Sequence, residues 1–242
     1  MDSNNSIRKD MRSFGFNGKV ALEHLFATSE YRSIGQAVSA LTLFSHPQTV
    51  AQTKALNVFQ IIRAKNMSDR GLIIQGESGR VMHDDNTSPT DLFLWANGIR
   101  RSEYCDVQFN HIWADSDEVT LYTSLANICL TPAFLAKLTD TDVMVRGLLR
   151  RRAYDLYNGF KPENMDIPIK LPGYDDLKWA APMPPVADLE RQLRLAMSTK
   201  TKSRAAISAL EIGWFFSEYK PDPAISSNYR LASLLPSNRV GQ

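Results

Sequence analysis

The sequence predicts an α+β fold that is mainly helical, with a short β-hairpin and a small unit of two strands and a helix. Apolar residues recur at helical spacing through the first seventy residues. A glycine-bounded turn at residues 76–79 separates two short apolar runs, which is typical of a hairpin. Residues 106–113 are rich in β-forming side chains and precede a helix that opens near Pro132. The chain has 242 residues and 43% apolar content, which allows a well-formed core.

The first segment, residues 1–70, is predicted to be an N-terminal helical layer. We expect three helices there, at residues 20–26, 34–44 and 50–65. Ser33 is placed to cap the second helix. The step from His46 to Pro47 separates the second helix from the third, because a residue before proline is steered away from helical angles.

The second segment, residues 71–160, is predicted to hold the hairpin and the unit of two strands and a helix. The hairpin strands are expected at residues 72–74 and 80–83, and a helix is expected from Ser88 to Ala96, ended by Gly98. We expect the two further strands at residues 106–113 and 119–122. A helix then continues from Pro132 to Tyr157, with a break near Thr139 and Asp140.

The third segment, residues 161–242, is predicted to be a proline-rich connector followed by C-terminal helices. Residues 162–186 hold six prolines and little periodicity, so we expect an extended segment on the surface. Helices are expected at residues 186–197 and 204–219.

The net charge, the cysteine count and the lack of long apolar runs bear on which classes of protein this chain can belong to. The formal net charge of +2 and the pI near 8.5 are only mildly basic, so composition alone does not indicate nucleic-acid binding. Cys105 and Cys129 are too few for a disulfide framework and are expected to be buried. The sequence has no apolar run of membrane-spanning length and a polar start, which predict no membrane association and a cytoplasmic location.

Two short segments carry the strongest chemical signal. Asn110 and His111 end a predicted strand, and Asn127 lies in the apolar run from Leu125 to Leu130. This pattern resembles the core of the HNH, or ββα-metal, nuclease family over residues 104–157. The resemblance implies that His111 is the general base and that Asn127 orients it. It also implies a Mg²⁺ or Mn²⁺ ion bound by Asn110, with Asp115 as a substitute ligand from the loop.

The sequence departs from the family pattern at two metal positions. Asn110 stands where the family has an acidic residue or histidine, and Ala136 stands where the helix supplies a ligand. Magnesium prefers charged oxygen ligands, so Asn110 and His111 alone would hold it poorly. The carboxylates that could substitute are Asp115, Asp117, Asp140 and Asp142. In the structural alternative, His111 is a satisfied interior histidine and Asn127 bonds a backbone turn.

Two basic runs are placed to contact phosphates. The predicted nucleic-acid-binding residues are Arg146, Arg150, Arg151, Lys200, Lys202 and Arg204. A solvated helix face explains each run equally well. The run His83-Asp84-Asp85 is the other metal-like cluster, and we interpret it as a solvated turn.

These observations favour a metal-dependent nucleic-acid endonuclease that hydrolyses phosphodiesters, with DNA favoured over RNA as the substrate. One alternative is a non-catalytic nucleic-acid-binding module that keeps the HNH-like fold without the metal. Another is a protein-interaction subunit of a larger assembly. The sequence leaves open whether the chain forms a homo-oligomer or a complex with other proteins.

Overall fold

A computed structural model describes residues 9–76, 79–113 and 119–217. Helices dominate this part of the chain. They are α1 (Gly18–Ala27), α2 (Ile34–Leu41), α3 (Pro47–Ala51), α4 (Thr87–Ala96), α5 (Val119–Tyr122), α6 (Ala133–Thr141), α7 (Val143–Leu156), α8 (Leu189–Thr199) and α9 (Arg204–Glu211). None of the described helices is long and apolar enough to cross a membrane.

Six short strands form two small sheets in the described residues. The strands are β1 (Leu43–Phe44), β2 (Ile61–Arg63), β3 (Ile73–Gly76), β4 (Gly79–Asp84), β5 (Val107–His111) and β6 (Ile128–Pro132). The first sheet has the order β1-β6-β5 and is antiparallel throughout. The second has the order β2-β4-β3, with β2 parallel to β4 and β3 antiparallel to it. The predicted mainly helical α+β class is therefore confirmed.

The N-terminal segment contains two of its three predicted helices. α2 begins behind Ser33, whose Oγ accepts a hydrogen bond from the Gln36 backbone N–H at 3.2 Å. The prediction of a helix over residues 50–65 is wrong, because Lys54 and Ala55 have left-handed backbone angles, with φ of 52° and 59°. The chain then forms β2, which is stabilised by pairing with β4.

The middle segment contains the predicted hairpin, β3 and β4, and the predicted helix, α4; residues 77 and 78 of the turn lie outside the described residues. The strand predicted at residues 119–122 is wrong, since α5 occupies them. The second strand of the unit is β6, which lies between β1 and β5 and is buried from Ile128 to Thr131. The predicted helix break is confirmed, and it falls at Asp142 between α6 and α7.

One hydrophobic core draws on all three sequence segments. It includes Phe26 and Phe59 from the first segment, Leu130 from the second, and Leu189 and Trp214 from the third. The Phe59 and Trp214 rings stack with centroids 6.2 Å apart. Strands from residues 1–70 also complete both sheets, so that segment is more than a helical layer.

Two further predictions are wrong, one about the end of the last helix and one about the burial of Cys105. The connector at residues 162–186 is irregular, as predicted, apart from a short 3-10 helix at Tyr174–Asp176. The last described helix, α9, ends at Glu211 before residue 219, because Gly213 has a φ of 103°. Cys129 is buried as expected, but Cys105 is exposed because it lies in the surface segment before β5.

Candidate functional site

The candidate site lies on a unit of two antiparallel strands and a helix. β5 is followed by a loop, then β6, then α6, and α6 packs against both strands. His111 pairs with Ile128 in the register of the two strands. The Ile112 N–H donates to the Asn127 carbonyl at 2.9 Å, so the pairing continues to the base of the loop. The unit thus consists of two strands and a helix, with α5 between the strands. Asp115 lies outside the described residues.

The His111 ring is half-buried against α5. It stacks on the Tyr122 ring with centroids 5.1 Å apart and 19° between planes. Its Nε2 lies 3.0 Å from the Tyr122 carbonyl oxygen and donates to it, since a carbonyl can only accept. Burial lowers the pKa of His111 below its ordinary value, which favours a neutral ring at neutral pH. A general base at this ring would have to use Nδ1.

Asn127 holds the loop between the two strands. The residue is fully buried. Its Oδ1 accepts a hydrogen bond from the Trp113 N–H at 2.8 Å, and its Nδ2 donates to the Leu121 carbonyl at 3.0 Å. Leu121 precedes Tyr122, whose carbonyl bonds His111, so Asn127 acts on His111 through the loop backbone.

The Asn110 side chain points away from His111, because successive side chains of a strand lie on opposite faces. Its Nδ2 donates to Thr131 Oγ1 at 2.8 Å and to the Gln108 carbonyl at 3.1 Å. Its Oδ1 accepts a hydrogen bond from Thr139 Oγ1 of α6 at 3.3 Å. Neutral protein groups therefore occupy the amide, and the position has no carboxylate to hold Mg²⁺.

The other candidate metal ligands in the described residues do not converge. Asp142 caps α7 by accepting from the Val145 N–H at 2.9 Å, and it pairs with Lys19 at 2.6 Å. Asp140 is exposed on α6, within electrostatic range of His111. Within the part of the chain that the structure describes, no three His, Cys, Asp or Glu side chains are grouped to hold a metal ion.

The His83-Asp84-Asp85 run has a structural role at the start of α4. Asp84 is fully buried and accepts from the Ser88 N–H at 3.1 Å, which contradicts the interpretation as a solvated turn. Asp85 accepts from the Thr87 N–H at 2.9 Å. Both carboxylates also pair with Arg204 of α9. The two aspartates thus cap one helix and anchor another.

Three of the six predicted nucleic-acid-binding cations already bind other groups of the protein. Arg204 is engaged by the two aspartates, and Arg151 pairs with Asp155 at 2.6 Å. Arg150 donates to the Ile112 carbonyl at 3.3 Å, and its guanidinium lies 5.8 Å from the centroid of the Trp113 ring.

The other three predicted cations, Arg146, Lys200 and Lys202, form fewer contacts with described residues and are better placed to bind phosphates. Arg146 makes one contact, to the Asp140 carbonyl at 3.3 Å. Lys200 and Lys202 are exposed and form no ion pair with any described residue.

A further group of charges, around Asp91, was not predicted. Burial, together with the charge of Asp84, raises the pKa of the half-buried Asp91 to about 6, and the positive charges of Arg101, Lys200 and Arg204 oppose the rise. Arg101 is exposed and, like Lys200, has no ion-pair partner among the described residues. Arg101 lies about one hundred residues from Lys200 and Arg204, so no local pattern could group it with them.

A cavity of about 310 Å³ lies between α4 and β5. Its wall combines polar, aromatic and apolar side chains: Asn86, Thr90, Leu94, Arg101, Tyr104 and residues 107–109. Arg101 belongs both to this wall and to the cations around Asp91, so the cavity adjoins them. Comparisons with protein-family models, with curated proteins and with solved structures found no match to this chain.

Proposed function

We propose that this chain binds nucleic acid through a basic surface formed by Arg101, Lys200 and Lys202. The observation that carries the proposal is that Arg101 and Lys200, about one hundred residues apart in the sequence, both lie within electrostatic range of Asp91. All three side chains are exposed and form no ion pair with a described residue. Cations that are not neutralised by the protein attract phosphates, because binding releases the counterions of the nucleic acid.

The geometry of the HNH-like unit supports binding without cleavage. Asn110 is bonded by threonine hydroxyls on one face of β5, and His111 is bonded by a backbone carbonyl on the other. A base and a metal ligand must act on the same phosphate, so side chains on opposite faces serve hydrolysis poorly.

Metal-dependent cleavage of DNA is the second candidate function. The fully buried Asn127 favours it, because its two hydrogen bonds hold the loop that follows His111, as an orienting asparagine must. This candidate requires Mg²⁺ or Mn²⁺ and a carboxylate ligand, for which Asp115 and Asp117 are present in the sequence.

Salt-dependent binding tests the proposed function. We expect the protein to bind a fluorescein-labelled 20-nucleotide DNA, with affinity falling steeply as salt rises. The double variant Lys200→Ala/Lys202→Ala should weaken binding and reduce the salt slope by about two, because each lysine neutralises one phosphate. The matched control is Lys54→Ala/Lys178→Ala, which removes two exposed lysines from other elements. Equal effects in both double variants would contradict a defined surface, and no binding to DNA or RNA would reject the function.

Plasmid nicking separates binding from cleavage. We expect supercoiled plasmid to stay intact with the protein and either Mg²⁺ or Mn²⁺. If the wild type nicks the plasmid and His111→Ala does not, the endonuclease is the correct function. If the protein neither binds nor cuts and native mass measurement shows an obligate complex, it is a subunit of a protein assembly.

A further inference from the structure

The cavity between α4 and β5 has features of a site for one nucleotide. Its volume of about 310 Å³ is at the small end of the range for ligand sites, roughly 300 Å³ and above. Its wall provides a guanidinium from Arg101, a ring from Tyr104, and polar groups from Asn86, Thr90 and Gln108. These groups match the phosphate, the π-face and the polar edge of a nucleotide.

The outer edge of β5 offers backbone hydrogen bonds to the cavity. Asp106 accepts from Ala133 N–H and Ile112 donates to the Asn127 carbonyl, so the even-numbered residues of β5 face β6. The N–H and C=O groups of Val107 and Phe109 therefore point away from β6, because β5 is the edge strand of this sheet in the part of the chain that the structure describes. Both residues line the cavity. Alternating donors and acceptors of this kind pair with the polar edge of a base.

Tyr104 and Arg101 both line the cavity. The Tyr104 ring packs partly against the hydrophobic core, and its exposed part faces solvent. Tyr104 is half-buried, and neither an aromatic pair nor a cation-π contact within the described residues uses its ring. The Arg101 guanidinium can form two parallel hydrogen bonds to a phosphate. An extended peptide would use the β5 edge but would leave both the ring and the guanidinium without a role.

We propose that this cavity binds one nucleotide of a single-stranded nucleic acid, with the base beside Tyr104 and the β5 edge and the phosphate on Arg101. The strand must be single because the polar edges of bases in a duplex are paired and their faces are stacked. From Arg101 the neighbouring phosphates continue to Lys200, which acts on the same carboxylate, Asp91. This site rests on the proposed nucleic-acid-binding function and assigns it a position in the fold.

Photocrosslinking tests the site directly. The probe is a ten-nucleotide oligothymidine with one 5-iodo-deoxyuridine, irradiated with the full chain, digested and mapped by mass spectrometry. We expect the crosslink at Tyr104. Tyr104→Leu should weaken binding about tenfold, since stacking on an aromatic ring contributes about that much per base, while Tyr104→Phe should bind within about twofold of the wild type. Thermal unfolding of each variant checks that it folds.

Controls make the outcomes decisive. The matched variant is Tyr154→Leu, which removes a half-buried tyrosine from α7 and should leave binding unchanged. One outcome would overturn the cavity assignment alone. In it the wild type binds oligothymidine and the lysine double variant binds it more weakly, but Tyr104→Leu binds normally and the crosslink maps to α7. The proposed function would then stand. A wild type that binds no nucleic acid overturns both.

Two competing ligands test the chemistry of the site. A blunt duplex that binds as tightly as the single strand overturns the single-strand assignment. The second competitor is a decapeptide of alternating threonine and valine. If it binds more tightly than oligothymidine and binds Arg101→Ala as well as the wild type, the β5 edge binds an extended peptide and the nucleotide site is overturned. If Arg101→Ala no longer binds oligothymidine and the wild type does not bind the peptide, the result supports the nucleotide site.

Discussion

Replacing Asp91 with asparagine removes a carboxylate that the fold holds half-buried in the second turn of α4. Burial, and then the charge of Asp84, raises the pKa of Asp91 from 3.8 to about 6. Between those two pH values the folded protein binds a proton that the unfolded chain has released. Stability therefore falls as pH rises from about 4 to about 6, and the whole cost is present at neutral pH.

The size of this cost follows from the shift in pKa. A rise of about two units corresponds to about 3 kcal/mol for a fully shielded group, at about 1.4 kcal/mol per unit. Asp91 is only partly shielded, so solvent screening reduces the expected cost to about 1–2 kcal/mol. Asp91→Asn has nearly the same shape and no charge, so it should be more stable than the wild type by that amount above pH 7.

Urea unfolding of both proteins at pH 4, 5, 6, 7 and 8 measures the effect. The gain in the free energy of unfolding should be near zero at pH 4 and reach its full value by pH 7. Taking the difference between the two proteins cancels the other groups that titrate in this range. A difference that does not change with pH would refute the reasoning, because it would show that Asp91 has an ordinary pKa in the folded protein.

Four further variants test other parts of the structure. Asn127→Ala should lower the free energy of unfolding by about 3 kcal/mol, because it leaves two buried backbone groups without partners; a decrease below about 1 kcal/mol would contradict the bonds described. Arg204→Ala should cost about 3 kcal/mol, since it leaves the fully buried Asp84 without its cation. Arg151→Ala, which breaks a more exposed pair, should cost less than 1 kcal/mol, and equal costs in the two arginine variants would count against a special role for Arg204. His111→Gln should remove an acid sensitivity, because the lowered pKa of His111 makes the wild type less stable as pH falls through about 6.5. Asp91 titrates in the same range in both proteins, so the quantity to measure is the wild type's free energy of unfolding minus that of His111→Gln. This difference should be smaller at pH 5 than at pH 7.5, and a difference that does not change with pH would contradict the prediction.

Local signals in the sequence were reliable where one segment decides its own conformation. The Ser33 cap, the helix start at Ser88 and Pro89, and the glycine-bounded hairpin are each specified by adjacent residues. The strand that ends at His111 and the helix that opens near Pro132 were also predictable. The strand between them was expected at residues 119–122, before Asn127, whereas β6 begins directly after Asn127.

Errors arose where a distant partner decides the conformation. Residues 61–63 have apolar spacing that fits a helix, but they become a strand because β4 supplies hydrogen bonds to them. Residues 119–122 have strand-forming side chains, but β6 takes the place between β1 and β5, and α5 packs against β2. Pairing energy across long sequence separations is not visible in a local pattern.

The sequence by itself determined the α+β class, the hairpin, most helix starts and the strand that ends at His111. Only the tertiary structure decided that Asn110 and His111 face opposite sides of β5 and that Arg204 is bound by Asp84. It also decided that Arg101 and Lys200 both lie within electrostatic range of Asp91. The reason is physical: whether a charge is free or paired depends on what packs beside it, and those neighbours come from distant segments of the chain.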